Sequence, residues 1–144
     1  MTRPSLSDAQ IKHLEFVQAV IGRLANNSFL MKGWALTVAG LIFGFAVEQG
    51  SWRIAAAGLL PVVAFWGLDA FFLRQERLYR RLYDAVRRSD AQVEAFSMDT
   101  RNYAATVASW WATALSRTLL PFYGVLALVG LVLILVGAFQ QQTP

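Results

Sequence analysis

The residues that could do chemistry are few. Arg74, Arg77, Arg81 and Arg88 recur at spacings of three, four and seven, which on a helix of 100° per residue places them within about 60° of one another. A planar guanidinium matches a phosphate or carboxylate bidentately, so converging arginines would suit an anion. Lys32 and Asp69 are each the single interruption of an otherwise apolar run. An ionisable group at that depth of a bilayer costs about 2.5–3.5 kcal/mol without a partner or water, so the two are expected to pair. Trp34 or Asn26 could serve Asp69 as other donors. Such a pair either orients two membrane spans or marks a hydrated vestibule or gate.

Enzymatic constellations are missing from the inventory. The chain has one histidine, His13, and no cysteine, so zinc clusters and Ser-His or Cys-His nucleophilic pairs cannot be assembled. Gly33, Gly40, Gly44, Gly58 and Gly67 fall inside apolar runs, away from any strand-to-helix turn that could cradle a phosphate. His13, between Lys12 and Leu14 on a helical stretch, reads as a surface residue, with pH sensing as its alternative. No enzyme, cofactor or metal is expected.

The elements that position these residues follow from composition. Of 144 residues 56% are hydrophobic and 15% charged, more apolar than soluble domains. Phe29–Val47, Ile54–Leu73 and Thr118–Phe139 each match the roughly 17–25 residues that cross a hydrocarbon core about 30 Å thick. The fold class is all-α integral membrane, with three transmembrane helices, an N-terminal amphipathic helix and a long cytoplasmic helical extension of the second span. Four parts result: 1–28, the amphipathic cytoplasmic helix; 29–73, two spans; 74–117, a cytoplasmic helical hairpin region; and 118–144, the third span with a short external tail. The apolar run at 29 is not a signal peptide, because a helical pattern of its own precedes it and no cleavage site follows.

Charge sets the orientation. Arg3, Lys12, Arg23 and Lys32 precede or open the first span, and eight arginines from Arg74 to Arg117 lie between the second and third, leaving only Arg53 in the short first connection. The positive-inside rule then puts the amino terminus and the long connection in the cytoplasm.

Local signals refine these parts. Ser7 and Gln10 form a capping-box pattern, and Ile11, Leu14, Val17, Ile21 and Leu24 make an apolar stripe that lies on the membrane or against the next helix. Asn26-Asn27-Ser28 predicts a bend or helix boundary before the first span. With no Pro or Gly from Leu73 to Ser97, the second span is expected to run on as one rod of about 45 residues, about 65–70 Å. Leu78, Leu82, Ala85, Ser89, Val93 and Phe96 would form its apolar face. Ser97-Met98-Asp99-Thr100 reads as the turn, with Asp99 or Thr100 capping a last stretch through Trp110-Trp111 to Leu115. Gly40 and Gly44 form a GxxxG pattern, Gly130 and Gly137 repeat at heptad spacing, and the uncovered apolar face of the rod asks for a neighbour, so a homo-oligomer is expected.

The arginine face has three readings. It is a solvated face with Glu76–Arg80 and Asp84–Arg88 pairs, an anchor to an anionic lipid surface through Arg74 and Arg77, or a site for an anionic ligand.

The runs Ala25-Asn26-Asn27-Ser28-Phe29 through Lys32-Gly33-Trp34, Phe65-Trp66-Gly67-Leu68-Asp69, and Leu73-Arg74-Gln75-Glu76-Arg77-Leu78-Tyr79-Arg80-Arg81-Leu82-Tyr83-Asp84 resemble a family of short bacterial membrane proteins. Its members occur beside anti-phage defence genes, and in function the chain resembles the membrane effector of the Hailong system. The likeness spans residues of about 10–85. It implies a tetrameric, channel-like protein of the bacterial inner membrane, regulated by single-stranded DNA oligomers from a partner nucleotidyltransferase, with the arginines as candidate contacts. The alternative function is a non-conducting anchor whose long helix recruits a cytosolic protein partner.

Overall fold

The computed structural model describes residues 6–88 and 93–141. Arg3 and Ser89 lie outside the described residues. The chain folds into α1 (Asp8–Glu48), α2 (Trp52–Arg87), a 3-10 turn at Arg101–Thr106, a short α3 (Trp110–Ala114) and α4 (Leu120–Gln140). No strand occurs among the described residues. Three of the helices, α1, α2 and α4, are long and apolar enough to cross a membrane.

Helix α1 begins on the capping box: Ser7 Oγ accepts from the Gln10 amide at 3.2 Å and Gln10 Oε1 accepts from the Ser7 amide at 3.0 Å. It then runs for 41 residues without interruption, about 61 Å at 1.5 Å per residue. The expected helix boundary at Asn26-Asn27-Ser28 is therefore absent. Ile21 on one side of it and Ala35 on the other are both buried, so packing on both flanks outweighs the pull of these side chains on the backbone. Ser28 spends its hydroxyl elsewhere, on α2.

The chain reverses through a Schellman motif. Ser51 N–H donates to Ala46 O at 3.1 Å and Gly50 N–H to Val47 O at 3.2 Å, with Gly50 at φ +57°, a conformation that favours glycine. Helix α2 therefore returns antiparallel along α1. Pro61 sits inside it without ending it.

Two apolar clusters hold the hairpin. Near the reversal, Ala35, Ala39 and Phe43 of α1, Val62 and Ala70 of α2, and Leu119, Tyr123 and Leu126 around α4 form the first. At the far end Leu14, Val17 and Ile21 pack on Leu82 and Val86. The amphipathic stripe of α1 is thus buried by the next helix, and it covers the α2 face that was expected to need another molecule.

Helix α2 stops at Arg87 after 36 residues, about 54 Å, short of the 45-residue rod. Its end lies beside the start of α1: Val86 and Ser7 line the same cleft. An isolated helical extension is marginal in water, and the chain instead folds back so that Val93 and Met98 pack against the cluster of Leu14, Val17, Ile21, Leu82 and Val86. From Val93 to Thr100 the backbone is irregular, with Phe96 at φ +61°. Thr100 precedes the 3-10 turn without a side-chain cap, while Asp99 Oδ1 accepts from the Arg101 amide at 2.9 Å; the expected last stretch is this 3-10 turn followed by the five-residue α3, capped by Ser109 Oγ. His13 is a further correction. It is 3% exposed, with Nε2 2.8 Å from Ser97 O and its ring 5.9 Å from that of Phe96.

Candidate functional site

The segment after the 3-10 turn descends along one face of α2, and that face carries the arginines. Arg74 Nε–H donates to Ala108 O at 3.2 Å, and Arg77 lies 3.5 Å from Thr113 Oγ1. Arg77, Arg80 and Arg81 line a cleft of about 270 Å³ with Asp84, Thr106, Val107 and Ala108. Arg80 was outside the expected face; Arg88, within it, stands about 10 Å beyond Arg81 at the end of α2 and is not part of the lining.

Charge in the cleft is unevenly compensated. Arg80 meets Glu76 at 2.6 Å, and Asp84 meets Arg87 at 3.5 Å in place of the expected Arg88. Among the described residues no carboxylate forms an ion pair with Arg74, Arg77 or Arg81, and Arg74 and Arg77 meet neutral oxygens instead. Such a surface keeps its capacity for an anion.

Below Arg74 lies a second polar group. Asp69 is fully buried and its carboxylate accepts from three donors: Ser28 Oγ–H, Lys32 Nζ at 2.6 Å and Tyr123 O–H at 3.0 Å. Lys32 Nζ also lies 3.1 Å from Ser28 Oγ, and its side chain remains 24% exposed. One carboxylate therefore ties α1, α2 and α4 together. Trp34 and Asn26 are exposed and take no part. Ser28 was not foreseen as a donor, although it stands one turn before Lys32 on the same face. Nor was Tyr123, the contribution of the third span.

Tyr123 is held in turn by Trp66, stacked at 5.8 Å and 4°. The Trp66 indole N–H donates to Ala114 O at 2.9 Å, and the Trp110 indole N–H to Gly67 O at 3.2 Å. Arginine surface, descending segment and buried carboxylate are thus mechanically continuous: Arg74 and Arg77 hold the segment, and the segment leads into the first turn of α4.

Close helix approach is made by glycines other than the GxxxG pair. A Cβ on Gly58 would lie 2.5 Å from Phe43, one on Gly130 2.5 Å from Leu59, and one on Gly137 3.0 Å from the Trp52 backbone. Gly40 and Gly44 face open space within this chain. No known protein family, no curated protein and no solved structure matches the chain.

Proposed function

We propose that the protein is a non-enzymatic effector of the bacterial inner membrane. Three spans leave the amino terminus cytoplasmic, and several copies, a tetramer in the resembled family, form a channel-like assembly that alters permeability in anti-phage defence. The regulator is an anionic nucleotide or single-stranded DNA oligomer at Arg74, Arg77 and Arg81, with Arg88 as an outlying contact. The observation that carries this reading is that, among the described residues, no carboxylate forms an ion pair with Arg74, Arg77 or Arg81, on the face along which the segment leading into α4 is held.

Ala108 O and Thr113 Oγ1 are neutral acceptors, whereas a phosphate adds a full negative charge and can accept from a guanidinium in bidentate fashion. A phosphate therefore draws both guanidiniums away from these neutral acceptors. The freed segment no longer fixes the start of α4, where Tyr123 bonds Asp69, and α4 shifts against α1 and α2. With few polar groups in the spans, the gate is a hydrophobic constriction that dewets. The alternative, an anchor recruiting a partner along the α2 extension, has less surface to offer, because Leu14, Val17 and Ile21 of the same chain cover Leu82 and Val86 while Phe96 stays exposed.

The test is a salt-dependent titration of labelled single-stranded DNA in phospholipid-free detergent, paired with dye leakage from vesicles. Arg77→Gln with Arg81→Gln abolishes both binding and its effect on leakage; Arg87→Gln with Arg101→Gln weakens binding little. The log–log salt slope falls by about 0.7 for each phosphate that an arginine no longer neutralises. Equal weakening in both double mutants leaves only diffuse charge, and no binding at low salt overturns the ligand.

A further inference from the structure

Beside the tie between α2 and α3 the surface opens into a slot of about 200 Å³, larger than the about 150 Å³ apolar cavity that holds a benzene ring. Val63, Trp66 and Gly67 form its α2 wall, and Trp111, Ala114 and Leu115 face them. Both tryptophan N–H groups behind it are spent on backbone carbonyls, Trp66 on Ala114 and Trp110 on Gly67, so the walls present carbon. Gly67 makes the floor: a Cβ there would already stand 3.4 Å from the Trp110 ring. The rim is open and apolar, with Val63 64%, Leu115 61% and Trp111 72% exposed.

We infer that this slot holds one acyl chain of an anionic phospholipid whose phosphate is met by Arg74 and Arg77. Charge complementarity picks the occupant. Arg74 stands two helical turns above Gly67 on the same face of α2, about 10 Å along the axis, and Arg77 about 15 Å. Arg117 follows Leu115 by two residues and is exposed. A molecule with a chain in the slot and a negative group one headgroup's length higher satisfies both ends at once; an oligonucleotide meets only the arginines. The inference rests on reading α2 as a membrane span with Arg74 at its cytoplasmic boundary, and it makes the lipid phosphate a competitor of the oligonucleotide for Arg74 and Arg77.

Tryptophan quenching tests it. A Trp34→Phe/Trp52→Phe background leaves Trp66, Trp110 and Trp111 as reporters. The full chain is reconstituted in phosphatidylcholine vesicles holding a small, equal mole fraction of either phosphatidylglycerol or phosphatidylcholine brominated on its acyl chains. Brominated phosphatidylglycerol is expected to quench several-fold more. Val63→Phe, which fills the mouth from an exposed position, removes that excess; Leu60→Phe, exposed outside the slot, keeps it. Gly67→Ala, a smaller change, lowers it in part and guards against misfolding of the larger one. Arg74→Gln with Arg77→Gln equalises the two lipids. Equal quenching by both headgroups in the unmutated slot, or an excess that survives Val63→Phe, overturns the inference. Either result leaves oligonucleotide binding in lipid-free detergent to be judged separately.

Discussion

The two ends of the α1–α2 hairpin solve the same packing problem by different chemistry. At the far end Leu14, Val17 and Ile21 face Leu82 and Val86, and the charged groups there, such as Arg87–Asp84, stay at the surface. Toward the reversal, where α4 joins, Gly58 and Gly130 make room for Phe43 and Leu59, Gly137 lies against the Trp52 backbone, and a buried carboxylate binds three helices. Apolar burial from water is non-directional and suffices for two helices in solvent. Between helices surrounded by lipid that driving force is lost, and small residues and hydrogen bonds decide which faces meet. The difference teaches that one hairpin changes its source of specificity along its length.

The comparison breaks most strongly at Asp69. Asp69→Ala leaves the Lys32 ammonium and the Ser28 hydroxyl without this acceptor and the Tyr123 hydroxyl with only Phe65 O at 3.4 Å, and removing one partner of a buried pair costs about 3–5 kcal/mol. Lys32→Met costs less, because the lysine is partly exposed. The double change Lys32→Met with Asp69→Asn should lose less than the sum of its singles in detergent melting, the mark of direct coupling. Simple additivity would show that the two side chains do not meet.

At the other end the largest effect comes from a cavity. Leu82 is 1% exposed, and Leu82→Ala should cost about 2–3 kcal/mol, at the low end of such truncations because a two-helix layer can close over the gap. Melting of the far end, followed by proteolysis near residue 88, should fall while the packing around Tyr123 persists. A decrease shared equally by both ends would show one cooperative unit.

Glycines sharpen the contrast further. Gly130→Val pushes a side chain into Leu59 and Phe43 and should cost about 1–3 kcal/mol. Gly40→Val meets nothing within the chain and should stay within about 0.5 kcal/mol for an isolated copy. If Gly40→Val instead changes the size of the detergent-solubilised particle, the GxxxG face is where copies meet.

The spans were legible because length and missing charge need no partner to be read: the expected Thr118–Phe139 and the observed Leu120–Gln140 differ by two residues or fewer at each end. Lys32 and Asp69 were conspicuous for the same reason. Ser28 and Tyr123 were not, since a hydroxyl can sit almost anywhere and only the three-dimensional neighbour makes it a donor to a carboxylate. His13 was misread from its neighbours Lys12 and Glu15; its own spacing of four from Val17 placed it on the buried stripe. The end of α2 was hidden because the absence of Pro and Gly permits a helix without stabilising it. Packing against α1 supplies the stability, and α1 begins at Asp8. The arginine cleft was half legible: periodicity found Arg77 and Arg81, while Arg80 entered only because the descending segment forms the other wall.

The smallest effect belongs to an ion pair that contrasts with Lys32–Asp69 in every respect. Asp99 accepts from the Arg101 guanidinium at 2.7 and 2.9 Å and from the Arg101 amide at 2.9 Å, on an exposed surface. The side-chain bonds, and after them the backbone bond, hold its carboxyl down to about 2, against an ordinary value of 3.8. A carboxyl depressed in the folded state contributes stability above its unfolded pKa and loses it as pH falls toward the folded one, so the window runs from about 4 to about 2. Solvent screening keeps an exposed pair weak, so global melting should hardly change across that window on account of Asp99. Its own titration, followed by carboxyl carbon resonance, should show the low midpoint. Arg101→Gln should raise that midpoint toward the ordinary value but not all the way, because the residue 101 amide still donates. A midpoint near 3.8 in the unmutated chain would mean that the exposed pair does not persist in solution, widening the contrast with Asp69, whose three donors come from two other helices.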